Sequence, residues 1–142
     1  MNNMAVLRDY LDADYDEVRK NLEEANMYAD ALDTRENLEQ KIRRNPGSII
    51  IAVDNDMVVG SVYFVEDGWM SFIARLNVRE EYRNKGIGNM LMDEAEARLR
   101  QRGVKEASLC ARVADLDRLE EFYHNRGYID MKGRHQWMYK EL

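Results

Sequence analysis

The sequence predicts an α/β (α+β) fold, in which a mixed, mostly antiparallel sheet of about seven strands carries helices on both faces. Three observations lead there. Apolar segments at Ser48–Val53, Met57–Val65 and Trp69–Val78 are joined by the polar turns Asp54-Asn55-Asp56 and Glu66-Asp67-Gly68, the pattern of an antiparallel meander. Ile87, Leu91, Ala95 and Leu99 recur every fourth residue and so form one buried stripe of a long helix. That helix separates two apolar segments, so the strand expected at Val104–Arg112 crosses over to lie parallel to Trp69–Val78.

The remaining elements follow from local signals. Met4–Tyr10 reads as a short opening strand. Asp12, Asp14 and Asp16 crowd a helix start, where carboxylates meet unpaired N–H groups and the positive end of the helix dipole. The helix is expected from about Tyr15 to about Leu32, with Val18, Leu22, Ala25 and Ala29 at helical spacing. Asp33 or Thr34 caps a second helix through about Arg44, and Asn45-Pro46-Gly47 ends it. The long helix runs to about Arg102 and stops at Gly103. Leu116–Arg126 is a short helix ending at Gly127. Tyr128–Lys132 and Gln136–Lys140 complete the sheet around Gly133-Arg134-His135. The order is β-α-α-β-β-β-α-β-α-β-β, with no internal repeat.

Composition narrows the class. A chain of 142 residues, 45% hydrophobic and with a single proline, suits one compact domain spanning residues 1–142. No apolar stretch approaches the length of a membrane span, no secretory signal precedes the first strand, and the only cysteine is Cys110. A soluble cytoplasmic protein is the expectation. The net charge of −6 argues against nonspecific nucleic-acid binding. Residues 1–40 carry 11 acidic and 4 basic side chains, whereas residues 79–105 carry 7 basic and 5 acidic. These are either ordinary solvated helix faces or separate surfaces for a cationic and an anionic ligand.

The segment Arg83-Asn84-Lys85-Gly86-Ile87-Gly88 joins a strand to a helix. The first N–H groups of a helix have no intrahelical partner and face along the positive end of its dipole. Glycine admits positive φ and lets an anion approach the backbone, and Arg83 and Lys85 add charge. No Lys-Ser/Thr pair follows the glycines, as a nucleotide P-loop requires, and the third glycine of a dinucleotide fingerprint is missing. On this turn alone, an anion site and a tight structural connection both fit.

The surroundings decide between them. Leu76-Asn77-Val78-Arg79-Glu80-Glu81-Tyr82-Arg83-Asn84-Lys85-Gly86-Ile87-Gly88-Asn89-Met90-Leu91-Met92 resembles the signature of the GNAT N-acetyltransferase superfamily: an apolar strand, Arg/Gln-x-x-Gly-x-Gly/Ala and an amphipathic helix. Phe122-Tyr123-His124-Asn125-Arg126-Gly127-Tyr128 is similar to the family's Phe-Tyr-x-x-x-Gly-Phe/Tyr motif. The resemblance implies a GNAT-like fold with a splayed parallel strand pair, opening between Leu76–Val78 and Leu109–Arg112. It implies that the backbone of Leu76, Asn77 and Val78 holds the pantetheine arm of acetyl-CoA. The turn amides of Asn84, Lys85, Gly86, Ile87, Gly88 and Asn89, with Arg83, would hold the pyrophosphate. Tyr123 matches the tyrosine that protonates the leaving thiolate; its alternative is a ring packed beside Phe122. Family members often dimerise, so a homodimer is an open expectation.

Two departures limit the carry-over. Leu116, between Asp115 and Asp117, stands where the family often has a cofactor-contacting Asn, and Ala111 stands where some members carry a glutamate base. The base is left open among Glu66, Asp67, His124 and a water chain. Cys110 is either an acylated nucleophile or, as expected, a small buried residue. His124 and His135 are too few for a histidine-rich metal site, so no metal is expected. Met90 and Met92 are read as core. Met27, Tyr28, Trp69, Met70, Trp137 and Tyr139 are either core or acceptor contacts. The expected function is acetyl transfer from acetyl-CoA to a primary amine on a small molecule or peptide, a cationic acceptor being suggested by the acidic first part. The alternatives are a non-catalytic acyl-CoA-binding module and a small interaction domain.

Overall fold

Residues 5–131 and 137–142 are described by the structure, a computed structural model. The elements are β1 (Val6–Asp9), α1 (Tyr15–Glu24), α2 (Arg35–Arg44), β2 (Ile49–Asp54), β3 (Met57–Glu66), β4 (Ser71–Val78), α3 (Ile87–Gln101), β5 (Ser108–Leu109) and α4 (Leu116–Asn125). Single 3-10 turns lie at Asp12–Asp14, Glu80–Tyr82 and Val113–Asp115. The chain divides into two compact units, residues 1–109 and residues 110–142.

In the first unit one sheet has the order β1-β2-β3-β4-β5. β1 to β4 pair antiparallel and β5 pairs parallel to β4. The meander forms because its turn residues accept the required backbone: Asn55 and Asp56 both have positive φ (50° and 62°), which matches the twist of a two-residue hairpin. Strand alternation then sends side chains to two faces. On one face Ile49, Ile51, Val58 and Tyr63 pack with Tyr15, Val18 and Leu22 of α1 and Leu38 of α2. On the other, α3 lies across β2, β3 and β4, and all four residues of its stripe are buried. Gly60 of β3 permits that packing, because a Cβ there would stand 2.7 Å from Asn77 O and 3.3 Å from Leu91 Cδ1.

Several elements are shorter than expected. α1 ends at Glu24 because Asn26 takes a left-handed conformation (φ 57°). Asn26 N–H donates to Glu23 O and Met27 N–H to Leu22 O, a Schellman stop that leaves Ala29 and Leu32 in the following loop. Thr34, not Asp33, caps α2, its Oγ1 accepting from Asn37 N–H. β5 comprises only Ser108 and Leu109, held by two register pairs, while Lys105 and Glu106 are exposed.

The strand count is corrected from about seven to five among the described residues. Tyr128–Met131 and Trp137–Lys140 are not part of the sheet among the described residues, and Ile129, Met138 and Tyr139 are exposed. Alternating apolar residues make a strand only where a neighbouring backbone completes the ladder. Met4, Lys132, the Gly133-Arg134-His135 turn and Gln136 lie outside the described residues. In the second unit, α4 follows the Val113–Asp115 turn. Its start is held by Asp115, which accepts from Arg112 Nε at 2.8 Å. No described helix is long and apolar enough to cross a membrane.

Candidate active site

The site begins at a defect in β4. The register with β3 jumps between Tyr63↔Ala74 and Ser61↔Asn77, so Arg75 and Leu76 together face Val62 as a β-bulge. Arg75 sits there at φ +59°, left-handed and costly for a residue with a Cβ. Asn77 locks the bulge: its Nδ2 donates to Arg75 O (2.9 Å) and Ser61 Oγ (2.8 Å).

Beyond the bulge the pairing decides which backbone groups remain available. Arg79 N–H donates to Val59 O at 2.8 Å, so by antiparallel alternation Asn77 and Arg79 address β3 and the N–H of Val78 turns to the opposite edge. On that edge β5 pairs only with Phe72 and Ile73, so the parallel pairing stops well before Leu76 and Val78. Asn77, by contrast, is buried and its side chain is committed to the bulge.

The chain then turns through Glu80–Tyr82 into α3. Arg83 Nε donates to Val78 O (3.0 Å), tying the turn to the end of the strand. Asn84 has φ +62°, and Gly86 is the N-cap of α3 at φ +86°. No side chain caps this helix, no acidic residue occupies its first turn, and space in front of Gly86 is open to 4 Å. Lys85 Nζ stands 5.4 Å from the centre of the Tyr82 ring. Asn84, Lys85, Gly86 and Asn89 are exposed, Gly88 is half-buried and Ile87 anchors the turn in the core. A helix start of this kind, uncapped, lacking carboxylates and flanked by two cations, suits a diphosphate.

The carboxylates of the first part are largely committed to internal partners. Arg8 pairs with Asp14, Arg35 with Asp12 and Asp16, Arg19 with Glu23, and Arg98 with Asp9. Glu17 accepts from Val58 N–H at 2.7 Å. Asp33, only 3% exposed, takes both Nε and Nη2 of Arg75. Most acidic side chains of residues 1–40 thus have a partner within the protein.

Glu66 and Asp67 are not brought to this region. Glu66 ends β3 opposite Ser71 and Asp67 follows it in the turn, roughly 25 Å from Val78 at about 3.3 Å per strand residue. Glu66 pairs with Arg102 at 3.1 Å. Asp67 accepts from Met70 and Trp69 N–H groups, which hold its carboxyl below the usual range. Trp69 and Met70, at the same turn, are exposed, as are Trp137 and Tyr139, so none of the four is a core residue. Met27 and Tyr28 pack against the core beside α1. Met92 is buried and Met90 half-buried.

In the second unit, Tyr123 packs edge-on against Phe122 (5.1 Å) and Tyr128 (5.9 Å). Burial raises its pKa, Asp115 adding to the rise and Arg118 opposing it. Its hydroxyl has no hydrogen-bond partner among the described residues. Leu116 is the first residue of α4 and offers no polar contact. Cys110 is exposed, a correction to its expected burial, because the strand ends at Leu109. His124 stands 3.6 Å from Asp130 and near Glu120, all three exposed.

Sequence reasoning gave Arg75 no role and read Asp33 only as a candidate helix cap. Nothing local marks an arginine for positive φ, and the pairing of Arg75 with Asp33 spans 42 residues.

Comparison with known proteins places the chain in a family. Residues 6–128 match the acetyltransferase (GNAT) family. An acetyltransferase of Yersinia pestis (strain Pestoides F) is 27% identical over 122 residues, covering 86% of each chain. An acetyltransferase of Sodalis glossinidius is 29% identical over 115 residues, covering 81% of this chain and 80% of its own. Among solved structures, Ard1 from Thermoplasma volcanium superposes with a TM-score of 0.79 at 21% identity over 89% of this chain and 84% of its own. The PaiA N-acetyltransferase of Thermoplasma acidophilum, in complex with coenzyme A, gives a TM-score of 0.73 at 19% identity over 87% and 89%. With the family pattern matched across most of its length, the chain belongs to the acetyltransferase (GNAT) family and is an acetyl-CoA-dependent acyltransferase.

Proposed function

We propose that this protein moves an acetyl group from acetyl-CoA to a primary amine of a small molecule or peptide by direct attack, with residues 1–142 acting as one functional domain. The observation that carries the reading is the bare start of α3, where Gly86 turns the chain at positive φ between Arg83 and Lys85. The amides of Asn84 to Asn89 bind the diphosphate, and Arg83 fixes the turn to Val78 while contributing charge. Leu76, Asn77 and Val78 form the strand end along which the pantetheine arm runs. Within it, Val78 N–H faces the unpaired edge and polarises the thioester carbonyl.

Acetyl-CoA, when bound, supplies the activated acyl group and the sulfur leaving group. The new C–N bond forms as the C–S bond breaks. Tyr123 gives its proton to the sulfur, and burial keeps that phenol protonated at neutral pH. With Glu66 and Asp67 at the other end of β4, His124 and a water chain are the routes left for the proton lost by the amine. Cys110 has no hydrogen-bond or ionic partner among the described residues to activate its thiol, which supports direct attack over an acyl-enzyme. This transfer needs no metal, nucleic acid or membrane. Because the carboxylates of residues 1–40 are mostly paired, the charge argument for a cationic acceptor weakens.

The test is thiol release from acetyl-CoA across a panel of amines. At least one amine should support release, and Tyr123→Phe should lower kcat about a hundredfold with little change in KM for acetyl-CoA. Tight coenzyme A binding without turnover of any amine would instead identify a binding module, and an unchanged kcat in Tyr123→Phe would remove the acid.

A further inference from the structure

Arg75 takes no part in the acetyl transfer itself. Its backbone is held at φ +59° in the β4 bulge, three residues before Val78, an interval on the order of 10 Å along an extended strand. Strain of this kind persists only where the surroundings impose it, and it concentrates at functional positions. A buried ion pair is also a poor source of stability, because desolvation offsets its attraction. Yet the fold spends both on one guanidinium. Asp33 accepts from Nε and Nη2, fixing the plane of the group, and Asp33 is itself fixed by Ala29 N–H, which donates to its Oδ2 at 2.8 Å. Nη1 has no hydrogen-bond partner among the described residues, and the side chain is 22% exposed.

A second uncommitted donor lies beside it. Tyr63 pairs with Ala74 across the strands, next to Arg75. Its ring is 5% exposed and its hydroxyl is buried with no partner. Burial, followed by the charge of Asp33, raises its pKa, so the phenol keeps its proton and acts as a donor. An oriented guanidinium edge and a protonated phenol are groups that recognise a carboxylate.

We propose that Arg75 and Tyr63 read a carboxylate on the acceptor, so that the amine acetylated is that of an amino acid. This rests on the acetyl-transfer reading above and narrows its substrate class. A small amino acid, together with the reach of the arginine side chain, spans the interval from the bulge to Val78.

The experiment compares amino acids with their carboxamides, pairs that differ only in the anionic group. Thiol release from acetyl-CoA should favour the acids in kcat/KM, and Tyr63→Phe should reduce that acid-to-amide ratio about tenfold, in line with losing one hydrogen bond to a charged group. Tyr63→Phe removes only a hydroxyl that has no internal partner, so it should fold. Arg75→Lys, which keeps the charge but loses the planar fork, should reduce the ratio likewise. Equal kcat/KM for acids and amides, or a ratio unmoved by Tyr63→Phe, overturns the proposal while leaving acetyl transfer intact. If no amine supports thiol release, calorimetric titration of glycine and glycinamide into the coenzyme A-bound protein decides it. Glycine binding that is weakened by Tyr63→Phe sustains the carboxylate site. Absent binding, or binding equal to that of glycinamide, overturns it.

Discussion

Arg75 Nη2 lies 2.9 Å from Asp33 Oδ2, joining the bulge of β4 to the loop between α1 and α2 across 42 residues of sequence. Removing one partner leaves the other charge poorly compensated. Asp33→Ala is therefore expected to lower unfolding free energy by about 3 kcal/mol. The double variant with Arg75→Met should recover part of that loss, because it removes both charges. Urea denaturation of the two single variants and the double variant gives the coupling energy; independent, additive effects would contradict the arrangement.

Gly86 has φ +86°, and nothing lies within 4 Å of where its Cβ would stand. Gly86→Ala thus meets backbone strain and no clash, at a cost of about 1–2 kcal/mol. The turn can relieve that strain by reshaping, which moves the amides proposed to hold the diphosphate. Coenzyme A affinity, measured by calorimetry, is expected to fall at least about tenfold, a loss of about 1.4 kcal/mol.

Gly60 presents the opposite case, where space rather than φ is decisive. A methyl group there would press on Asn77 O at 2.7 Å, a backbone atom held by the sheet and by α3 behind it. Gly60→Ala should destabilise the first unit by about 1–3 kcal/mol, as overpacking of a fixed backbone does. Chemical denaturation monitored by circular dichroism reads the change.

Lys41 of α2 donates to Phe64 O and is largely desolvated. Burial, with the positive charge of Arg102 nearby, lowers its pKa from 10.5 to about 8. The folded state therefore releases this proton before the unfolded chain does. Between about pH 8 and 10.5 the unfolded chain binds more protons, so this group makes stability rise with pH in that window. Below pH 8 both states are protonated and the penalty is constant. Lys41→Met should remove the rise and stabilise the protein at neutral pH by up to about 2 kcal/mol, after discounting for the solvent on its open side. Comparing urea midpoints of the two proteins across pH 7–10 isolates the Lys41 contribution from other titrating groups.

Much of the fold was legible because its signals are local. The stripe at Ile87, Leu91, Ala95 and Leu99 is a periodicity, and all four residues are buried as that period requires. Asp54-Asn55-Asp56 marked the hairpin through residues that tolerate positive φ. The limits of elements were harder to read. Asn26 ends α1 eight residues early by a backbone turn that competes with helical spacing at Ala29 and Leu32. The last two expected strands had the right alternation and no paired neighbour among the described residues.

The sequence by itself determined the turn from Val78 through Gly86 into α3, because a strand end, a left-handed glycine and an uncapped helix start are consecutive in the chain. Their chemistry follows from backbone geometry that only a few residues permit. Tertiary structure alone decided how the charges are used. It placed Asp33 against Arg75, drew most of the acidic first part into ion pairs, and set Glu66 and Asp67 at the far end of β4. These outcomes depend on which distant side chains the packed layers bring within a few ångströms, and on which are desolvated there, a relation that no spacing along the chain encodes.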